Sequence, residues 1–192
     1  MNIPNRITIS RILLIPIFIL LLSVPFDWGS WQVGEATLPI VDFVAAMLFI
    51  VASATDWLDG YYARKYNLVT NLGKFLDPMA DKLLVSAAFI LLIEMNLAPA
   101  WIVIIIISRE FAVTGLRLVA AGDGVVLAAG QMGKLKTWIQ IVSISALLLH
   151  NVPFSYFDIP FASLSLYAAL LITVVSGVDY FVKNWHVMRD SK

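Results

Sequence analysis

The sequence predicts an all-α integral membrane protein: a bundle of six transmembrane helices with a short N-terminal interfacial segment. Three observations predict it. Of the 192 residues, 60% are apolar and only 14% charged, and the mean hydropathy is +0.88, well outside the composition of soluble domains. Apolar runs near 7–25, 38–62, 79–97, 100–121, 136–152 and 162–182 approach the roughly 20 helical residues needed to cross a hydrocarbon core of about 30 Å. Finally, the basic residues sort to one side of a bilayer when all six runs are taken as spans.

The first run follows Arg6 and Arg11 as a signal peptide would, but Val24-Pro25-Phe26 does not resemble a small-residue cleavage site, so the run reads as a retained helix. The second and third runs flank a stretch rich in aspartate. The fourth carries Arg109 and Arg117. The fifth is the weakest, being short and containing Gln140, Ser143 and Ser145, and a five-span reading is open on hydropathy alone. Charge placement argues against five. With six spans, Arg6, Arg11, Arg64, Lys65, Lys74, Lys134, Lys136, Lys183, Arg189 and Lys192 share one side, with Lys82, Arg109 and Arg117 inside runs but toward it. The opposite connections, 26–37, 94–100 and 150–161, hold Asp27, Glu35, Glu94 and Asp158 and no Lys or Arg. The basic side, with both termini, is expected to be cytoplasmic. Trp28, Trp31, Trp101 and Trp185 near run ends fit interfacial anchors.

No linker, repeat or low-complexity tract divides the chain, so residues 1–192 read as a single membrane domain. Thirteen Lys and Arg balance thirteen Asp and Glu, which argues against a nucleic-acid partner. The absence of cysteine excludes disulfides, thiolate catalysis and Cys-ligated metal.

The chemistry is concentrated in Asp56-Trp-Leu-Asp59-Gly60-Tyr-Tyr-Ala63-Arg64 and, eight residues on, Gly73-Lys-Phe-Leu-Asp77-Pro-Met-Ala-Asp81. At 100° per residue, positions 56, 59, 60, 63 and 64 fall in one arc of a helix, and 73, 77 and 81 form a second stripe. Four carboxylates brought together repel one another unless a cation holds them, and hard oxygen donors suit Mg²⁺, Mn²⁺ or Ca²⁺. A dinuclear site is expected. The small residues let a bulky ligand approach, and Arg64 on the same face suits a phosphate oxygen, so the pair of stripes suggests a metal-held diphosphate. Plainer readings exist for the parts: Asp56 and Asp59 as a solvated helix end, and Asp77 before Pro78 as an N-cap followed by a first-turn proline.

Taken together, the two stretches resemble the signature of the CDP-alcohol phosphatidyltransferases, Asp-x2-Asp-Gly-x2-Ala-Arg-x8-Gly-x3-Asp-x3-Asp, with every fixed position present. Asn2-Ile3-Pro4-Asn5 with Thr8 and Arg11, the stretch Ser108 to Arg117, and Gly133-Lys134-Leu135-Lys136-Thr137 are similar to the bacterial branch of that family that uses sn-glycerol 3-phosphate. The likeness covers most of the chain. It implies transfer of a phosphatidyl group from CDP-diacylglycerol to sn-glycerol 3-phosphate with release of CMP, two Mg²⁺ or Mn²⁺ ions, a homodimer among membrane lipids, and a multi-pass location in the bacterial cytoplasmic (inner) membrane with the active site facing the cytoplasm. By the same resemblance, Asp56, Asp59 and Asp77 are metal ligands, and Asp81 is both a ligand and the general base. Asn5, Thr8, Asp59, Gly60, Arg64, Thr70 and Gly73 are the CDP-lipid contacts.

A phosphomonoester acceptor needs cations, and Arg109, Arg117, Lys134 and Lys136 are the expected set. Arg109 leads, because it lies within an apolar run and carries a desolvation cost; its plainer role is pairing with Glu110 or with an acid on a neighbouring helix. Lys134 and Lys136 have a plainer role at anionic headgroups. Gly122-Asp123-Gly124 reads as a turn, Gly130 to Lys134 lacks P-loop spacing, and His150 and His186 suggest neither zinc nor a base. Competing readings are another acceptor within the family (serine or inositol phosphate), an aspartate-rich prenyltransferase, and an ion or proton transporter.

Overall fold

The computed structural model describes residues 3–34, 36–65, 71–122, 125, 127, 130–185 and 189, with the side chains of 3–7, 56–65 and 71–78 outside the description. Among the described residues there are six α-helices: α1 (Ile3–Ser23), α2 (Ile40–Lys65), α3 (Asn71–Glu94), α4 (Ala100–Gly122), α5 (Gln131–Leu148) and α6 (Phe161–Lys183). A hairpin of β1 (Ser30–Val33) and β2 (Ala36–Pro39) joins α1 to α2, and a short 3-10 helix, Phe154–Phe157, precedes α6.

These boundaries add to the sequence reading and in places correct it. Helix α1 already begins at Ile3, so among the described residues the expected N-terminal interfacial segment is helical and continuous with the first helix. Pro4 falls in its first turn, where a missing N–H costs nothing and a fixed φ favours the helix. Asp77-Pro78 is not a helix start: α3 begins at Asn71, which puts Pro78 in its interior. Proline there gives no N–H to the carbonyl four residues back, a defect that neighbouring helices in a bundle can tolerate. The 26–37 connection contains most of an antiparallel hairpin running from Ser30↔Pro39 to Val33↔Ala36. Gly34, with φ +63°, supplies its tight turn. The weak fifth run is a helix that starts earlier than hydropathy suggested, at Gln131, because its first turn is largely polar and unburied and so adds little to a hydropathy window.

One apolar cluster draws on all six helices, including Phe18 of α1, Phe49 of α2, Phe89 and Leu92 of α3, Ile106 of α4, Ile144 of α5 and Leu166 of α6. The small Ala45, Ala46 and Ala52 of α2 are buried and let helices approach closely, and the Phe18 and Phe49 rings meet at 6.1 Å. The outer faces are also apolar: Leu13, Ile104, Leu118, Leu171 and Val182 are exposed, whereas Gln140, Ser143 and Thr173 are buried. Gln140 Nε2 donates to Thr173 Oγ1 at 3.1 Å and ties α5 to α6. Oily outside and partly polar inside is the distribution of a helix bundle in lipid, where polar side chains are satisfied only by each other. Among the described residues α6 is the helix both long and apolar enough to cross a membrane, with shorter apolar stretches at Thr8–Ser23 and Ile40–Thr55.

The ends of the bundle are distinct. Asp42 Oδ2, at the start of α2, meets His150 Nε2, just past α5, at 2.6 Å, while the Ile40 amide donates to the Gly29 carbonyl at 3.1 Å. The end of α1, the start of α2 and the end of α5 therefore lie together. At the opposite end, Val113, Leu116 and Ala120 of α4 form a small cluster with Tyr180 of α6, beside which the polar site opens.

Candidate active site

Helix α4 carries the polar face. Glu110, Thr114 and Arg117 follow at i, i+4 and i+7, so they share one side of the helix, and Arg109 flanks them. They line a cavity of about 250 Å³ with Asp81 and Lys82 of α3, Lys134 and Lys136 from the first turns of α5, and Ser176, Asp179 and Tyr180 near the end of α6. Four helices thus contribute to one polar space.

Glu110 is the hub. Its Oε1 accepts from Arg109 Nη1 at 3.3 Å and from the Lys136 ammonium. Lys136 is buried, and an unpaired ammonium there would cost several kcal/mol, so the carboxylate is a condition of its position. Arg109 Nη2 donates to Ser176 Oγ at 3.0 Å, and its Nε is buried with no hydrogen-bond partner among the described residues. Arg117 Nε donates to Tyr180 Oη at 3.0 Å, and its guanidinium stands 5.3 Å from the centroid of that ring. The Thr114 hydroxyl donates to the Glu110 carbonyl at 2.6 Å and accepts from the Lys82 ammonium. Asp179 is engaged by Lys183 at 2.8 Å.

Among the described lining residues, five cationic side chains (Lys82, Arg109, Arg117, Lys134 and Lys136) face three carboxylates (Asp81, Glu110 and Asp179). The surplus is positive, and both arginines retain donors. Such a cavity suits an oxyanion, above all a phosphomonoester that can take two-pronged contacts from guanidinium groups.

Five of the expected site residues, Asp81, Arg109, Arg117, Lys134 and Lys136, come together here. Lys134 is exposed at the rim, whereas Lys136 is buried. The plainer role of Arg109 is present as well: it does pair with Glu110. Thr8 is buried on α1, a helix that packs against both α2 and α3. Asn5, Asp56, Asp59, Gly60, Arg64, Gly73 and Asp77 have helical backbone but side chains outside the described residues, and Thr70, Asp123, Gly124 and His186 lie outside them altogether. The backbone puts Asp56 and Asp59 in the last turns of α2, away from its Asp42 end, and Asp77 one turn before Asp81 on α3.

The four aspartates offer hard carboxylate oxygens with no thiolate among them, a donor chemistry that fits Mg²⁺ or Mn²⁺. Asp81, which opens into the cavity, joins that donor set to the cationic pocket.

Sequence reasoning named Lys82 only as a basic residue within a run and Glu110 only as a partner for Arg109, and did not single out Thr114, Ser176 or Tyr180. Glu110 had a signal, an acid inside an apolar run directly after Arg109. Ser176 and Tyr180 were legible only as polar groups one turn apart in an otherwise apolar helix, a pattern without a ligand attached.

The sequence profile of the CDP-alcohol phosphatidyltransferase family matches residues 1–175. The chain is 62% identical over 190 residues to the CDP-diacylglycerol–glycerol-3-phosphate 3-phosphatidyltransferase of Bacillus subtilis (strain 168), covering 99% of this chain and 98% of that protein. Proteins of the same name from Rickettsia typhi and Haemophilus influenzae are 38% and 36% identical, over 94% and 93% of this chain and 95% and 91% of theirs.

Proposed function

The chain belongs to the CDP-alcohol phosphatidyltransferase family, and from that premise we propose that it transfers the phosphatidyl group of CDP-diacylglycerol to sn-glycerol 3-phosphate, releasing CMP and forming phosphatidylglycerophosphate. The observation that carries the choice of acceptor is the meeting of Asp81 with Arg109, Arg117, Lys134 and Lys136 around one cavity. A carboxylate beside a cationic pocket is what a phosphorylated alcohol requires: the cations hold its phosphate, and the carboxylate faces the hydroxyl.

In this reading Arg109 and Arg117 grip the acceptor phosphate, Lys136 adds charge from below and Lys134 from the rim. Asp81 takes the proton of the attacking hydroxyl as its oxygen bonds to the phosphatidyl phosphorus. The bond from that phosphorus to the bridging oxygen breaks, and CMP departs with the electron pair. Asn5, Thr8, Asp59, Gly60, Arg64, Thr70 and Gly73 hold the cytidine diphosphate. Asp56, Asp59, Asp77 and Asp81 would hold two Mg²⁺ or Mn²⁺ ions, whose chemistry when bound is to draw charge from the diphosphate and steady the leaving phosphate. Glu110 binds no substrate here; it fixes Lys136 and Arg109.

We read the chain as one domain of six membrane spans in the bacterial cytoplasmic membrane, with both termini and the cavity on the cytoplasmic side, in keeping with its basic residues, and as a homodimer. CMP release by the purified protein in detergent, with CDP-diacylglycerol and Mg²⁺ or Mn²⁺, tests the function. Release is expected with glycerol 3-phosphate and not with serine, inositol phosphate or no acceptor. Dependence on another acceptor would rename the activity, and no metal-dependent release from folded protein would remove it.

A further inference from the structure

Arg109 stands between two hollows. It lines the polar cavity and also an apolar groove of about 760 Å³ bordered by Val174, Gly177 and Val178 of α6. An arginine so placed has somewhere else to go, and what keeps its guanidinium at the cavity is the surface of α6. Ser176 is buried; its hydroxyl donates to the Thr173 carbonyl at 3.1 Å, which spends the proton and leaves Oγ as an acceptor for Arg109 Nη2 at 3.0 Å. At the next residue, a Cβ added to Gly177 would lie 2.9 Å from Arg109 Cγ and 3.4 Å from its Nε. The position of Cγ is set by χ1 alone, so bending the far end of the side chain relieves nothing. Either α4 and α6 move apart or the arginine changes rotamer, and in both cases its guanidinium shifts relative to Ser176. One turn from Ser176, Tyr180 Oη accepts from Arg117 Nε at 3.0 Å.

We propose that the stripe Ser176, Gly177 and Tyr180 of α6 is a positioning surface that aims Arg109 and Arg117 at the acceptor phosphate, and so sets selectivity for a phosphorylated alcohol. The inference rests on the acceptor assignment made above. None of the three residues need touch the substrate. Their effect passes through the arginines, whose planar, directional donors lose a two-pronged phosphate contact when tilted.

The test uses the full-length protein with CDP-diacylglycerol, Mg²⁺ and varied glycerol 3-phosphate. Gly177→Ala and Ser176→Ala are expected to raise the acceptor KM about tenfold, the scale of one weakened charge-assisted hydrogen bond. Tyr180→Phe should raise it less, and kcat and the KM for CDP-diacylglycerol should stay within about twofold. Ser176→Thr, which keeps the hydroxyl, should stay near wild type. In an Arg109→Ala background, Gly177→Ala and Ser176→Ala should add nothing, because the group they position is gone. If Gly177→Ala does not fold, Ser176→Ala decides, since it adds no bulk. A wild-type acceptor KM in Ser176→Ala beside a raised one in Arg109→Ala overturns the inference and leaves the function standing, as do effects that add in full to Arg109→Ala. Absence of CMP release by the wild-type protein overturns the function, and the inference with it.

Discussion

In the proposed reaction Asp81 and Arg109 divide the chemistry between them. Asp81, the last position of the aspartate signature, lines the cationic cavity, which places it beside the acceptor in the proposed reaction. Asp81→Asn keeps an oxygen and the shape but cannot take a proton at neutral pH; turnover is expected to fall at least about a hundredfold, the usual contribution of general base catalysis, while CDP-diacylglycerol binding remains measurable. Near-normal turnover in that variant would remove the base assignment. Arg109 is bound on one side to Glu110 and on another to Ser176, so it is oriented before substrate arrives. Arg109→Ala should raise the acceptor KM with a smaller change in kcat, read from initial rates at saturating CDP-lipid; a change in folding yield alone would make it a structural arginine. Both residues were legible in the sequence, one from the fixed spacing of the signature and one from the cost of a guanidinium within an apolar run. Ser176 and Gly177 were not, because their significance is a distance to another helix, and neither hydropathy nor spacing along α6 encodes which helix packs there.

At the scale of the helix, hydropathy located all six elements but misplaced the starts of α3 and α5, where helical backbone extends into a polar stretch. Helix α5 begins at Gln131 rather than near 136; within it Lys136 and Gln140, which count as polar in a hydropathy window, are buried against Glu110 and Thr173. Helix α3 likewise begins at Asn71, through Pro78, where proline chemistry alone favoured a start. The hairpin between α1 and α2 is held in part by Gln32 and Thr37, whose side chains exchange hydrogen bonds at 2.9 and 3.1 Å, a cross-strand relation invisible until the register is known. The pair Asp42–His150, at the end of the bundle away from the cavity, allows the two ends to be separated by experiment. Asp42→Asn should lower the thermal midpoint in detergent by a few degrees, on the order of 1 kcal/mol for a weakened charge-assisted bond, with kcat and both KM values unchanged. A loss of turnover without a loss of stability would show that this end communicates with the site.

Across the whole molecule, the proposed orientation in the membrane rests on the arrangement of charge. The cavity residues belong to α4 from Arg109 to Arg117, the middle of α3, the first turns of α5 and the end of α6, while Asp42, His150 and the hairpin lie at the opposite end. Chain topology then requires that Lys183, at the end of α6, and Asp158, just before its start, emerge on opposite sides of any membrane that α6 crosses. That helix, 23 residues long with a hydropathy of 2.0, is the best qualified among the described residues to cross one. Because the chain has no cysteine, single cysteines introduced at these two positions report without background. In intact cells stripped of any outer membrane, Asp158→Cys should react with a membrane-impermeant maleimide, and Lys183→Cys should react only after permeabilisation. The reverse pattern would invert the positive-inside assignment and put the cavity on the side without a cytoplasmic supply of CDP-lipid. Reaction at both positions would mean that α6 does not span, and the six-span reading would have to be redrawn around the remaining helices.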